Sequence, residues 1–202
     1  MIRIRQLTIA TVAAAMLAAA PPAAAQFTES YKFLKAVRDG DGAKVQEALD
    51  APGTTIVNTK DYSSGEAALH IVVKRRDSTW LGFLLAKGAQ PDVRDGQGNT
   101  PLALAAQLGF ADGVQQLLAR RAKVDIENAQ GETPLILAVH NRDLATARLL
   151  LSAGANPNKA DRIAGKSARD YATEDRRSAA ILKVIEEAKP AKPSAKMSGP
   201  TL

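Results

Sequence analysis

The sequence predicts an all-α solenoid of about five helix-turn-helix units joined by short β-hairpin-like loops. The segment GNTPL at 98–102 recurs as GETPL at 131–135, and GEAAL at 65–69 precedes both, so the period is about 33 residues. Within each period, apolar residues recur at the spacing of two short helices. A period of this length marks an array whose units stack on one another and bury one continuous core.

The array is predicted over residues 26–188, in units at about 26–61, 62–94, 95–127, 128–161 and 162–188. The first unit lacks the T-P-L start, as expected of a terminal repeat whose outer face meets water. Its apolar spacing predicts helices around 33–41 and 45–49. The last unit carries GKSARDYA at 165–172, with Ser and Ala where the inner units have Thr and Pro. Residues 189–202 are rich in Pro, Lys, Ala and Ser, and they predict a disordered tail.

The T-P dipeptides of the inner units predict where each first helix begins. Thr100 and Thr133 can each accept a hydrogen bond from an orphan backbone N–H of the first turn. Pro101 and Pro134 fall at the first helical position, where proline has no donor to lose. The Leu and Ala residues that follow form a narrow apolar face, which lets neighbouring helices approach closely.

This period and its T-P-L start resemble the ankyrin repeat, over nearly all of residues 26–188. The resemblance implies a helical solenoid that binds other macromolecules. It also implies that His70, in the place of the histidine of the T-P-L-H motif, hydrogen-bonds backbone between repeats. Asp92, Asp95 and Asp125 match loop positions where side chains cap turns, so we do not interpret them as paired catalytic carboxylates.

Residues 1–25 predict a cleavable secretory signal peptide. Arg3 and Arg5 give a positive start, and the uncharged, Ala-rich run at 7–20 is shorter than the ~20 residues of a membrane-spanning helix. Ala23-Ala24-Ala25 offers a small-residue cleavage site before Gln26. The Ala-rich leader is bacterial in style, so we expect a periplasmic protein with no membrane anchor after cleavage. Full secretion stays open as an alternative, and for the leader itself the alternative is an uncleaved anchor or a buried helix.

The basic charge of the chain lies at its two ends. The formal net charge is +6, from 27 basic and 21 acidic residues. Removing Arg3, Arg5 and the three tail lysines leaves 27 − 5 = 22 basic residues against 21. A nucleic-acid binder needs a basic face on its folded body, so we expect no nucleic-acid partner.

No catalytic or cofactor motif is found in the sequence. The chain has no cysteine and two histidines, which excludes disulfide chemistry and thiolate metal sites. Gly96-Gln97-Gly98 falls at a hairpin turn in the repeat, so it does not indicate a phosphate loop. We therefore predict a protein that is not an enzyme and that holds no cofactor and no metal.

Trp80 is the single tryptophan of the chain. Its repeat equivalents are Gly113 and Thr146, both small, which suggests that the ring packs across a repeat junction by volume compensation. An exposed binding anchor is the alternative.

Contacts of ankyrin proteins come mainly from the hairpin tips and from the exposed ends of the first helices. The predicted hairpin contacts are Tyr62, Ser64, Glu66, Gln97, Asn99, Gln130 and Glu132. The predicted helix-end contacts are Lys74, Arg75, Gln107, Leu108, His140 and Asn141. We expect folding to be almost insensitive to the helix-end residues, among which Leu108 offers an apolar side chain. An ordinary solvated face is the alternative for any one of these residues.

The leading functional hypothesis is a monomeric, non-enzymatic interaction module that binds a protein partner of unknown identity. One alternative is a ligand- or metal-responsive envelope stress protein, with His140, Glu174 and Asp175 as ligands. Another alternative is an exported effector that acts on a protein of a host or target cell.

Overall fold

The computed structural model describes residues 23–51 and 54–188, and there the chain forms five consecutive helix pairs. The helices are α1 (Ala23–Asp39), α2 (Gly42–Asp50), α3 (Ala68–Lys74), α4 (Ser78–Ala86), α5 (Pro101–Gln107), α6 (Ala111–Ala119), α7 (Pro134–His140), α8 (Leu144–Ser152), α9 (Ala168–Glu174) and α10 (Ala179–Glu187). First helices pack on first helices throughout, and second helices pack on one another from α4 to α10. The predicted helical solenoid is therefore confirmed.

At the two ends of the chain, the described structure can be compared with the predicted bounds of the leader, the array and the tail. Helix α1 begins at Ala23, ten residues before the helix predicted at 33–41 and three before the predicted start of the array. Residues 1–22 of the predicted leader and the predicted tail at 189–202 lie outside the described residues.

Threonine and proline begin the inner first helices as predicted. Thr100 Oγ1 accepts from the Ala103 N–H at 3.2 Å, and Thr133 Oγ1 accepts from the Ile136 N–H at 3.3 Å. Both helices have proline in the first turn. After these caps, residues 101–106 of α5 and 134–139 of α7 are buried throughout. The first helices therefore form the centre of the core.

Unit 2 starts differently, because Ala67 has no hydroxyl to cap α3. His70 Nδ1 accepts from the Ala67 N–H at 3.1 Å, and His70 Nε2 lies 3.0 Å from the Asn99 carbonyl oxygen of the next unit. Since Nδ1 accepts, Nε2 carries the proton and donates to Asn99. The ring is fully buried, and this burial lowers the pKa of His70. The predicted structural role of His70 is confirmed.

The acidic loop residues act on backbone, as predicted. Asp92 Oδ1 accepts from the Lys123 N–H at 2.9 Å, and Asp125 Oδ1 accepts from the Asn156 N–H at 3.0 Å. Each of these bonds reaches into the next unit. Asp95 caps its own hairpin by accepting from the N–H groups of residues 97 and 99.

Trp80 packs against the core, beside a small residue of the preceding unit. The half-buried ring lies beside Gly42, where an added Cβ would be 4.0 Å from it, and meets Phe83 edge-on at 5.9 Å. At Gly113 an added Cβ would lie 2.3 Å from the Phe110 ring, so packing within its own unit already requires a glycine there. The packing interpretation is confirmed.

Candidate protein-binding surface

The last residues of four first helices form a row along the array, here called the helix-end row. Helices α3, α5, α7 and α9 each have seven residues and start at equivalent positions of the repeat, so their ends come into register. The helix-end row consists of Lys74, Gln107, His140 and Glu174, all of which are exposed. Successive units therefore present unlike side chains at one position.

The hairpins beside this row are tied to one another by backbone hydrogen bonds. The N–H groups of Gly96, Ala129 and Arg162 donate to carbonyl oxygens of the preceding hairpin at 2.8, 3.0 and 2.9 Å. Gly65 and Gly131 have φ of 68° and 82°, and an added Cβ would lie 2.6 Å from a backbone nitrogen of the next hairpin. Glycine is thus needed both for the turn and for the close approach, and the hairpins are held rigidly.

A side-chain pair joins hairpin to helix end within three of the units. Glu66 pairs with Lys74 in unit 2, and Lys166 Nζ lies 2.7 Å from Glu174 Oε2 in unit 5. In unit 4, His140 Nε2 lies 3.8 Å from Glu132 Oε1. In unit 2 the base of the pair is at the helix end, whereas in unit 5 the acid is at the helix end. The helix-end row therefore runs from basic to acidic.

The acidic end of the helix-end row opens into a cleft between units 4 and 5. Its volume is about 290 Å³. The cleft is lined by Val139, His140, Arg142, Tyr171, Glu174, Asp175 and Ser178. The His140 and Tyr171 rings stand 4.4 Å apart between centroids, at 59°. The cleft is thus lined by all three residues of the ligand hypothesis, His140, Glu174 and Asp175, but they form no group that could hold a metal ion.

The model of a known family, described as ankyrin repeats (3 copies), matches residues 33–128 and again residues 69–161. Together the two matches cover more than half of the chain. The chain belongs to the ankyrin repeat family. Ankyrin repeats are general protein–protein interaction modules, typically without catalytic activity, so the hairpins and the helix-end row are the candidate surface.

Most of the predicted contacts of this ankyrin array are accessible. Tyr62 is 90% exposed at the tip of the first hairpin. Lys74, Arg75, Gln97, Gln107, Gln130, His140 and Asn141 are also exposed, while Ser64, Glu66, Leu108 and Glu132 are half-buried. Their role in binding stays a prediction.

Asn99 does not belong to the accessible set, so its prediction as a contact is wrong. It is only 5% exposed. Its amide nitrogen lies 3.4 Å from Asp95 Oδ2 and 3.3 Å from Gln97 Oε1, and its Oδ1 accepts from Asn128 at 3.2 Å. The side chain fastens two hairpins together instead of facing a partner.

Arg75 also forms hydrogen bonds to the preceding unit, which its sequence position did not indicate. Its guanidinium donates to the Val37 carbonyl at 2.6 Å and the Arg38 carbonyl at 3.2 Å, and it bonds Asp77 at 2.9 Å. It therefore satisfies carbonyls at the end of α1 in the preceding unit. The premise that the Arg75 side chain makes no structural contact is wrong.

Leu108 is similarly less available than predicted. Its side chain is half-buried against the core, and its carbonyl oxygen accepts from the Arg76 guanidinium of unit 2. It belongs to the junction between units 2 and 3. The premise that the Leu108 side chain stands clear of the core is wrong.

Sequence reasoning missed Ile163, which is 78% exposed. It lies in the last hairpin, where Asp161 Oδ1 accepts from the N–H groups of residues 163, 164 and 165. The hairpins at 61–66 and 161–166 are each one residue longer than those at 95–99 and 128–132. That extra residue, visible in the sequence, was the signal for exposed tips at Tyr62 and Ile163.

Several of the shifted pKa values of this ankyrin array belong to groups that hold hairpins and junctions. The Tyr171 hydroxyl donates to Asp161 Oδ2 at 2.6 Å, which raises the pKa of Tyr171 to about 12. Burial acts to raise the pKa of Asp161, but bonds from Tyr171 and backbone N–H groups outweigh it, and the net shift is downward. Hydrogen bonds from Ser63 and Arg38 lower the pKa of Asp61.

The described residues contain no group of three or more His, Asp or Glu side chains that could hold a metal ion. Within residues 23–51 and 54–188, no helix has the length and apolar character needed to span a membrane.

Proposed function

We propose that this chain is an exported periplasmic ankyrin protein that binds a protein partner, without catalysis, through its hairpin tips and the helix-end row. The observation that carries the proposal is the register of four exposed, unlike side chains held by bonded hairpins. A surface already rigid before binding loses little conformational entropy on association. An extended row of this kind suits a folded partner or a chain laid along the array.

The charge of the row supports a directional mode of binding. Lys74 stands at the basic end and Glu174 at the acidic end, with the uncharged Gln107 between them. A partner with the opposite order of charge would be attracted in one orientation and repelled in the other.

Export is supported by the sequence of residues 1–25. The positive start, the short apolar run and the Ala23-Ala24-Ala25 site together predict a mature chain that begins at Gln26. Intact mass of the protein purified from a periplasmic fraction measures this directly. A full-length chain that keeps its leader in the soluble cytoplasmic fraction would contradict export.

The binding surface is tested by capture of a partner from the envelope fraction, followed by affinity measurements on variants. Lys74→Ala and Gln107→Ala should each weaken binding, by about tenfold where the residue is a hot spot. The matched controls are Gln115→Ala and Arg148→Ala, exposed positions on second helices, which should leave affinity unchanged. Loss of binding in the controls, with wild-type affinity for the row variants, would refute the assignment.

A further inference from the structure

The cleft between units 4 and 5 has the size of a site for one side chain. Its volume of about 290 Å³ is at the lower limit of pockets that enclose whole small molecules, which begin at about 300 Å³. It lies at the acidic end of the helix-end row, where His140 and Glu174 stand on successive units. A partner lying along the row would therefore pass over it.

One wall of the cleft is already in contact with a cation. Lys166 Nζ lies 5.9 Å from the centroid of the Tyr171 ring and 2.7 Å from Glu174 Oε2. An ammonium over an aromatic face with a carboxylate beside it is the arrangement that attracts cations. Both Lys166 and Glu174 remain exposed at their side chains, 39% and 56% respectively, so this pair is open to exchange with a ligand.

Carboxylates and permanent cations are equal in number around the cleft. Glu132, Glu174 and Asp175 face it or its His140 wall, against Arg142, Lys166 and Arg177. Asp175 is paired with both arginines, since Arg142 Nε lies 2.7 Å from its Oδ2 and Arg177 Nε lies 3.5 Å from its Oδ1. Glu174 is therefore the carboxylate whose cation, Lys166, a ligand could replace.

A buried hydroxyl in the lining of the cleft has no partner. Ser178 is 1% exposed, and its Oγ makes no hydrogen bond among the described residues. Buried polar groups are nearly always hydrogen-bonded, so an exception points to a missing donor or acceptor. The hydroxyl lies beneath the surface of the cleft, so a donor would reach it only by displacing a lining side chain.

We propose that this cleft receives an arginine side chain of the protein partner, and that Lys166 is an internal placeholder that the arginine displaces. The proposal rests on the proposed function, because the arginine belongs to the protein that the array binds. A guanidinium suits the site better than an ammonium. Its plane can stack on the accessible face of the Tyr171 or the His140 ring, while its several N–H donors pair with both carboxylate oxygens of Glu174.

The probe is the peptide acetyl-Gly-Arg-Gly-amide, titrated into the whole mature chain, with the citrulline peptide as an uncharged control of the same shape. The readout is the NMR signals of the two histidine rings, since His140 lines the cleft and the buried His70 serves as an internal reference. We expect a saturable shift of the His140 signals with the arginine peptide, and none with citrulline. The His70 signals should stay in place.

Two substitutions separate the placeholder from general electrostatics. Lys166→Ala should tighten binding of the arginine peptide by about threefold, because its cation competes for the ring and the carboxylate. Lys159→Ala removes a cation that pairs with Glu127 away from the cleft, and it should change the affinity little. Glu174→Gln should weaken binding by about threefold or more, since a carboxylate partner is lost.

Equal binding of the citrulline peptide, shifts that do not saturate, or weaker binding by Lys166→Ala would each overturn the inference. A captured partner whose affinity depends on Lys74 and Gln107 but not on Glu174 would refute the cleft alone. The peptide titration could also succeed while no captured partner depends on the helix-end row. That result would uphold arginine binding in the cleft and refute the proposed function.

Discussion

Replacing His70 tests how the units of the array are joined. The side chain is fully buried, and it links the Ala67 N–H of unit 2 to the Asn99 carbonyl of unit 3. In His70→Ala both bonds are lost. The Asn99 oxygen keeps a second donor, the Asp95 N–H at 3.0 Å, whereas the Ala67 donor loses its imidazole acceptor.

The loss of stability in His70→Ala follows from the unpaired Ala67 donor and from the space that the ring leaves. A buried donor left without its acceptor costs ~1–3 kcal/mol, and the space left by the ring adds about 2 kcal/mol. We therefore expect His70→Ala to lower the free energy of unfolding by about 3–5 kcal/mol. Urea denaturation at pH 7.5, followed by circular dichroism, measures it.

The pH dependence gives a second readout of the same residue. Burial lowers the pKa of His70 below its ordinary value of 6.5, so between these two values the unfolded chain binds more protons than the native one. Stability is then complete above pH 6.5 and falls as the pH drops toward the native pKa, by at most ~1.4 kcal/mol per pH unit. The lowered carboxylate pKa values of Asp61 and Asp161 act below pH 4, outside a series from pH 5 to 8.

His140→Ala is the matched control, because the chain has two histidines and His140 is exposed. His70→Ala should flatten the slope between pH 5 and 8, and His140→Ala shows what the loss of an exposed imidazole does by itself. An unchanged slope in His70→Ala, or a loss of stability below about 1 kcal/mol, would refute the buried, neutral linkage between units 2 and 3.

Three further substitutions test the local structure by urea denaturation. Arg121 has a φ of 62°, where its equivalents are glycines, so Arg121→Gly should raise the free energy of unfolding by about 0.5–1 kcal/mol; a loss of stability would show that the exposed arginine is needed. Trp80→Ala should lower it by about 2–3 kcal/mol, less than for a fully buried ring, and should leave partner affinity unchanged if the ring only packs. Thr133→Ala removes the cap of α7 and should cost about 1 kcal/mol, whereas Thr133→Ser should cost much less.

The repeated elements of this chain were predictable because their causes are local. Thr100 and Thr133 act within their own helices, and Pro101 and Pro134 need only their own backbone. His70 was predictable through the family motif, which already contains the contact between units.

The roles of the arginines were not predictable, because they depend on which atoms of the neighbouring unit lie within reach. Arg75 reaches back to carbonyls of unit 1, whereas Arg76 reaches forward to Leu108. Arg142, equivalent to Arg76, instead meets the carboxylate of Asp175. A long side chain at a tight turn can serve either neighbour, and the period does not say which.

The array itself separates structural from binding positions by comparing its own units. The hairpin glycine recurs at 65, 98, 131 and 165, always with positive φ, because the turn demands it in every unit. The helix-end row changes from Lys to Gln to His to Glu at one position, while the helices that carry it stay the same length. The fold does not require any one of these four side chains. Variation at a position that packing leaves free is where specificity for a partner can be encoded, which is why the helix-end row carries the proposed function.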